Sequence, residues 1–204
     1  HGAGKAVYDE AKLRGIEVID ATCPFVKHIH EIVRDHYADG YQIVIIGKNA
    51  HPEVVGINGW CENSAIIIDD PAQVERLNGQ RKMCLVVQTT FSVKKYREIL
   101  KKIPKDTANL VEIFDTICYT TYERQSEAEN LAKKCDIMLV IGSKSSSNTN
   151  RLYELCRTEC ENTYLVSGLS DLKNLECRPD SYIGITAGAS TPEESIMEVR
   201  EYMS

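Results

Sequence analysis

Short apolar runs alternate along the chain with stretches in which apolar positions recur every three to four residues. Gly15–Ile19, Gln42–Ile46, Ala65–Ile68 and Met83–Val87 read as β-strands, and so do Leu110–Phe114, Asp136–Ile141, Thr163–Val166 and Tyr182–Ile185. These runs are continuously apolar rather than alternating, the pattern of strands covered on both faces in a parallel sheet. Between them, Phe25, Ile29, Ile32 and Val33 fall on one helical face, and Leu152, Leu155 and Cys156 on another. The expected fold class is α/β with mainly parallel sheets.

The pattern repeats. IDATCP (Ile19 to Pro24) and FDTICY (Phe114 to Tyr119) each end a strand with Asp, two residues and Cys, and the cysteines stand 95 residues apart. The glycines that close the next strands, Gly47 in IIGKNAHPE and Gly142 in VIGSKSSSN, are again 95 apart. Two pseudo-repeated lobes are therefore expected, residues 15–105 and 106–204, with their polar loops at the carboxyl ends of the strands. Residues 1–14, His-Gly-Ala-Gly and a helical stretch, fit neither copy and read as the tail of an earlier unit.

Composition narrows the partners. Lys plus Arg is 24 against 30 Asp plus Glu, a net charge of −6 without a basic stripe, which argues against nucleic acid. No apolar run approaches the ~20 residues of a membrane span, so the expectation is a cytoplasmic protein. Eight cysteines in a chain this long and this well patterned suggest reduced thiols or a few metal ligands rather than a disulfide framework.

Candidate chemistry gathers at the strand ends. Cys23 and Cys118 occupy matching repeat positions, where a thiolate pair suits an iron–sulfur or zinc centre; two thiols are too few for either. The other six cysteines have no repeat counterpart and read as structural. His51-Pro-Glu53 can serve phosphate binding and proton delivery, or be an ordinary polar loop. His28, His30 and His36 read as solvated helix residues. Gln88-Thr-Thr90, Ser145-Ser-Ser-Asn148 and Thr186-Ala-Gly-Ala-Ser190 offer hydroxyls, amides and backbone N–H groups to an anion, although Ser, Thr and Asn also cap helices with no ligand present. The readings left open are an enzyme acting on a phosphorylated substrate, a non-catalytic phosphate-ligand binding module, and a zinc hydrolase using Cys23, Cys118 and a histidine.

In this order, ATCPFVKHIH, HPEVVG, QTTFSV, DTICYTTYERQ, GSKSSSNTNRL and GITAGAS closely resemble the 4-hydroxy-3-methylbut-2-enyl diphosphate reductases, the LytB/IspH family of the non-mevalonate isoprenoid pathway. The resemblance implies a three-lobed α/β trefoil around a 4Fe–4S cluster held by three cysteines. It also implies two-electron removal of the C4 hydroxyl of an allylic diphosphate, giving isopentenyl and dimethylallyl diphosphate. By motif, Cys23 and Cys118 look like two of the three cluster ligands. His1, His51, Ser146, Ser147, Asn148 and Ser190 look like diphosphate contacts. Glu53 resembles the proton-supplying acid, with Thr89 beside it. The electron donor is expected to be external, such as ferredoxin or flavodoxin, because no flavin or nicotinamide fingerprint is present. The family's first cluster cysteine, in a Gly-Phe-Cys-Ala-type motif, is not among these 204 residues. The chain is accordingly expected to be an N-terminally truncated fragment, largely missing its first lobe and inactive alone.

Overall fold

The computed structural model describes residues 1–77, 82–104, 110–173, 175 and 177–203. The chain separates into two compact units, His1–Cys118 and Tyr119–Ser204. The lobe boundary expected between residues 105 and 106 lies outside the described residues.

The first unit begins with α1 (Lys5–Leu13) and α2 (Pro24–Ala38), followed by β1 (Gln42–Ile46) and α3 (Pro52–Asn58). A 3-10 turn (Gly59–Cys61), β2 (Ile66–Ile68), a second 3-10 segment (Pro71–Leu77), β3 (Met83–Val87), α4 (Val93–Lys102) and β4 (Val111–Ile113) complete it. The strands form one sheet in the order β2-β1-β3-β4, every pair parallel, with Val44 opposite both Ile66 and Leu85. Burial follows position in the sheet. The central β3 is buried throughout, and β1 at every residue but its first, as continuous apolar runs require, while the edge strands β2 and β4 are only partly covered. Ile29, Val33, Ile43, Ile45, Val54, Ile57 and Val86 form the core between helices and sheet.

The second unit contains α5 (Tyr119–Ala132), β5 (Ile137–Ile141), α6 (Ser147–Glu159), β6 (Thr163–Val166), a 3-10 turn (Leu169–Leu172), β7 (Ile183–Ala187) and α7 (Glu193–Tyr202). Its parallel sheet runs β6-β5-β7, with Leu139 facing Tyr164 on one side and Ile185 on the other. One core layer gathers Ala128, Met138, Val140, Leu152 and Cys156, and the other Leu139, Ile141, Val166 and Val199.

Four sequence expectations change. Gly15–Ile19 forms no strand, because among the described residues no neighbouring strand completes a ladder with it; Ile19 is 90% exposed. The strand expected over Leu110–Phe114 forms as Val111–Ile113 but pairs with β3, so it closes the first sheet. On α2, Phe25 is exposed and Val26 is buried in its place, since Val26, Ile29, His30 and Val33 share the i, i+3, i+4, i+7 stripe. His30 lies on that stripe and is 4% exposed, and His36 is half-buried against Tyr41 and Phe114. Of the three helix histidines, only His28 is exposed.

Candidate functional site

The repeated Asp-x-x-Cys motif has a local physical basis. Asp20 Oδ1 accepts from the Thr22 N–H (2.9 Å), and Asp115 Oδ1 accepts from the Ile117 N–H (3.3 Å). Each aspartate thus turns the chain two residues on, the habit of Asx turns. The hydrogen bond from Thr22, together with Lys27, holds the Asp20 carboxyl well below the usual carboxylate range. In both copies the cysteine follows at the mouth of a helix: Cys23 is the N-cap of α2, and Cys118 immediately precedes α5. Cys23 is exposed and Cys118 half-buried, whereas Cys61, Cys84, Cys156 and Cys160 are buried. Burial pushes the Cys84 and Cys156 thiols up to about 12, the protonated, unreactive condition of structural cysteines.

The Cys118 loop docks on the end of β3. Its backbone N–H donates to the Thr89 carbonyl (3.1 Å), while the Thr116 hydroxyl donates to Val87 O (2.6 Å) and accepts from Val87 N (2.7 Å). Thr89 therefore sits between this cysteine and a buried carboxylate. Its N–H donates to Glu53 Oε1 (2.6 Å), and its hydroxyl donates to Oε2 (2.7 Å). Glu53 is 2% and Thr89 7% exposed. Burial pushes the Glu53 carboxyl up, and the two Thr89 hydrogen bonds offset only part of the rise. A carboxyl in that state keeps a proton at a higher pH than an exposed glutamate does.

His51 stands two residues before Glu53 as the N-cap of α3, with Pro52 in the first turn. Its Nδ1 accepts from the Glu53 N–H (3.2 Å), which assigns the ring proton to Nε2 and leaves Nε2–H to donate elsewhere. Burial, and then the nearby Lys48 charge, lower its pKa, consistent with a neutral ring. The His1 ring lies edge-on to it at 5.1 Å between centroids. The Lys48 N–H donates to Gln88 Oε1 (3.1 Å), and the Gln88 amide donates to the Thr90 hydroxyl (3.0 Å), so one buried amide joins the loops after β1 and β3. A Cβ on Gly47 would stand 2.6 Å from Val54 and 2.9 Å from Gln88, so only glycine allows that approach.

In the second unit Ser146 caps α6, its hydroxyl oxygen accepting from the Thr149 N–H (3.3 Å). Its own hydroxyl hydrogen remains a donor. Ser147 and Asn148 open the helix. Asn148 is 7% exposed, and its Nδ2 is buried without a hydrogen-bond partner, a condition that normally costs about 1–3 kcal/mol. The Ser190 loop packs beside it. The Gly188 N–H (2.9 Å) and the Thr191 hydroxyl (3.1 Å) both donate to Ile141 O at the end of β5, and a Cβ on Gly188 would collide with Thr149 Oγ1. Ser190 itself is exposed. Asn148→Leu is expected to weaken inorganic diphosphate binding about tenfold or more while raising the unfolding midpoint, because it removes an unsatisfied buried amide. Calorimetric titration beside a thermal melt checks both signs; an unchanged affinity would remove Asn148 from the anion site.

Sequence reasoning missed His30 and Trp60 as parts of this region. The signal was available for His30, which falls on the buried stripe of α2. Trp60 had none, since its role depends on residues 57 positions away.

Among the described residues, no group of three or more His, Cys, Asp or Glu side chains is placed to hold a metal ion. Cys23 and Cys118, soft donors at helix mouths, fit iron–sulfur ligation in kind, though two thiols do not complete a set. Among the described residues, no helix is long and apolar enough to cross a membrane.

Comparison with known proteins shows the family. The family model described as LytB protein matches residues 1–204. A 4-hydroxy-3-methylbut-2-enyl diphosphate reductase of Caldanaerobacter subterraneus subsp. tengcongensis is 44% identical over 201 residues, covering 98% of this chain and 69% of the relative. The structure of the E-1-hydroxy-2-methyl-but-2-enyl-4-diphosphate reductase from Plasmodium falciparum superposes with a TM-score of 0.88 at 30% identity, over 99% of this chain and 64% of that one. A solved (E)-4-hydroxy-3-methyl-but-2-enyl diphosphate reductase, described as the terminal enzyme of the non-mevalonate pathway, gives 0.61 at 33% identity, over 100% of this chain and 73% of that one. With a family match along its whole length, a 44% identical relative and a solved relative at a TM-score of 0.88, the chain belongs to the LytB family.

Proposed function

We propose that the protein is a cytoplasmic (E)-4-hydroxy-3-methylbut-2-enyl diphosphate reductase. The reaction breaks the C4–O bond of the allylic diphosphate. Two electrons and two protons are consumed, the oxygen leaves as water, and isopentenyl or dimethylallyl diphosphate remains. The observation that carries this reading is the buried Glu53–Thr89 pair beside the His51 donor and against the Cys118 loop.

The residues divide the work. In the first unit the Nε2–H of His51 and the His1 ring are donors suited to diphosphate oxygens, and in the second unit the hydroxyls of Ser146, Ser147 and Ser190 and the Asn148 amide are such donors. Neutral donors suit this task, because a site that returns its product gains from grip without full charge neutralisation. Glu53 holds the proton, and the Thr89 hydroxyl on its Oε2 orients it toward the leaving oxygen. Low exposure of both groups excludes water that would otherwise return the Glu53 carboxyl toward its ordinary pKa. Cys23 and Cys118 would hold a 4Fe–4S cluster together with a third cysteine. When bound, that cluster supplies the electrons and a Lewis-acidic iron, refilled by an external carrier such as ferredoxin or flavodoxin.

The test is anaerobic turnover of the allylic diphosphate by the full-length protein with a chemical reductant, with both products quantified. Formation of both supports the reductase. A reconstituted full-length protein that binds inorganic diphosphate but neither takes up iron nor turns over would leave a phosphate-ligand binding module.

A further inference from the structure

The first four residues are held by an unusually close set of backbone contacts. Gly2, at φ +77°, leaves no room for a side chain: a Cβ there would stand 2.5 Å from the His30 ring and 3.1 Å from Thr22. A Cβ on Gly56 of α3 would stand 2.7 Å from Gly2 O, and one on Gly59 would stand 2.7 Å from the Gly4 Cα. Residues 2–4 therefore lie directly on the backbone of α3 and the turn after it. Side chains close the arrangement from behind. The Trp60 Nε1–H donates to Ala3 O (3.0 Å), and the Trp60 and His30 rings stack at 5.2 Å. His30 is buried, and its Nε2 has no hydrogen-bond partner. Its desolvation lowers its pKa to about 4, so it packs as a neutral ring.

What these groups fix is His1, and with it the edge-on His1–His51 pair. The helix that carries His51 at its N-cap offers Gly56, five residues on, as the seat for Gly2, so both imidazoles are referenced to the same helix.

We propose that Trp60 and His30 are positioning residues that set the His1 imidazole against His51, through the Gly2–Gly56 and Gly4–Gly59 backbone contacts, and thereby tune affinity for the diphosphate group. The inference rests on the reading of His1 as a diphosphate contact. It assigns Trp60 a polar duty beyond packing, since its indole N–H restrains the His1-bearing segment by a hydrogen bond that phenylalanine cannot make.

The experiment uses the full-length protein with five variants: His1→Gln, Trp60→Phe, Gly2→Ala, His30→Ala and the double Gly2→Ala/His30→Ala. Inorganic diphosphate affinity is measured by calorimetry, and kcat and KM are measured with the allylic substrate. Trp60→Phe keeps the aromatic bulk and is expected to weaken inorganic diphosphate about two- to tenfold, with the loss falling on KM rather than kcat. Gly2→Ala should weaken it further, and removing the His30 ring in the double variant should restore part of that loss, a coupling that independent sites do not show. If Trp60→Phe and Gly2→Ala bind inorganic diphosphate like wild type while His1→Gln is weakened, the positioning inference fails and His1 stands. If His1→Gln itself binds like wild type, the assignment of His1 fails and the inference falls with it. Thermal melts identify any variant lost to misfolding; should Gly2→Ala be one, Trp60→Phe decides the question alone.

Discussion

Glu53→Gln is expected to lower turnover by about 10²–10⁴-fold, the usual contribution of a positioned general acid, with diphosphate affinity retained. Glutamine preserves the local structure. Its carbonyl can accept from the Thr89 N–H as Oε1 does, and its amide can donate to the Thr89 hydroxyl, which reverses its role. Only the transferable proton is lost. Turnover near wild type in Glu53→Gln would end the assignment of Glu53 as the acid.

The same substitution has a stability signature of defined sign. Burial raises the Glu53 carboxyl above its unfolded value. The folded state therefore binds a proton that the unfolded state has already released, and folding is favoured at pH below the unfolded pKa. That share of stability is lost as pH rises through the folded pKa. Relative to Glu53→Gln, wild-type urea midpoints should fall from acid toward neutral pH, across a window that opens at the ordinary glutamate range and extends above it, while the depressed His30 and His51 rings raise the midpoints of both proteins alike. The Glu53→Gln profile should lack this step. Wild-type and variant curves that run parallel across this window would contradict the raised carboxyl.

Cluster occupancy is the second large effect. In full-length protein, Cys23→Ser and Cys118→Ser are each expected to abolish turnover and most of the bound iron, because the alcohol is a far poorer soft-metal donor than a thiolate. Residues 1–204 alone, carrying these two thiols of a proposed three, are expected to show no complete cluster. Iron, acid-labile sulfide and an anaerobic visible spectrum measure both expectations. Cys84→Ser supplies the contrast, since that thiol is buried in the core and protonated up to about pH 12. Equal iron in wild type and Cys118→Ser would remove Cys118 from the ligand set. A cubane spectrum from residues 1–204 would show that two of these cysteines suffice with ligands from elsewhere.

The sequence by itself determined much of this protein. The continuous apolar runs at Gln42–Ile46, Met83–Val87 and Asp136–Ile141 could only be satisfied by central strands of parallel sheets, and they became β1, β3 and β5. The Asp-x-x-Cys repeat was legible because its cause is local: an aspartate accepting the N–H two residues on. Tertiary structure decided what depends on distant partners. Gly15–Ile19 has the composition of a strand, yet strandhood requires a neighbour to bond with. His30 and His28 differ by two positions on one helix, and the stripe buries one and exposes the other. By motif Glu53 resembled a proton-supplying acid beside Thr89, but its burial was not legible until Thr89, 36 residues later, closed over it and removed it from water. Its protonation follows from desolvation, which is a property of the surroundings and not of the residue.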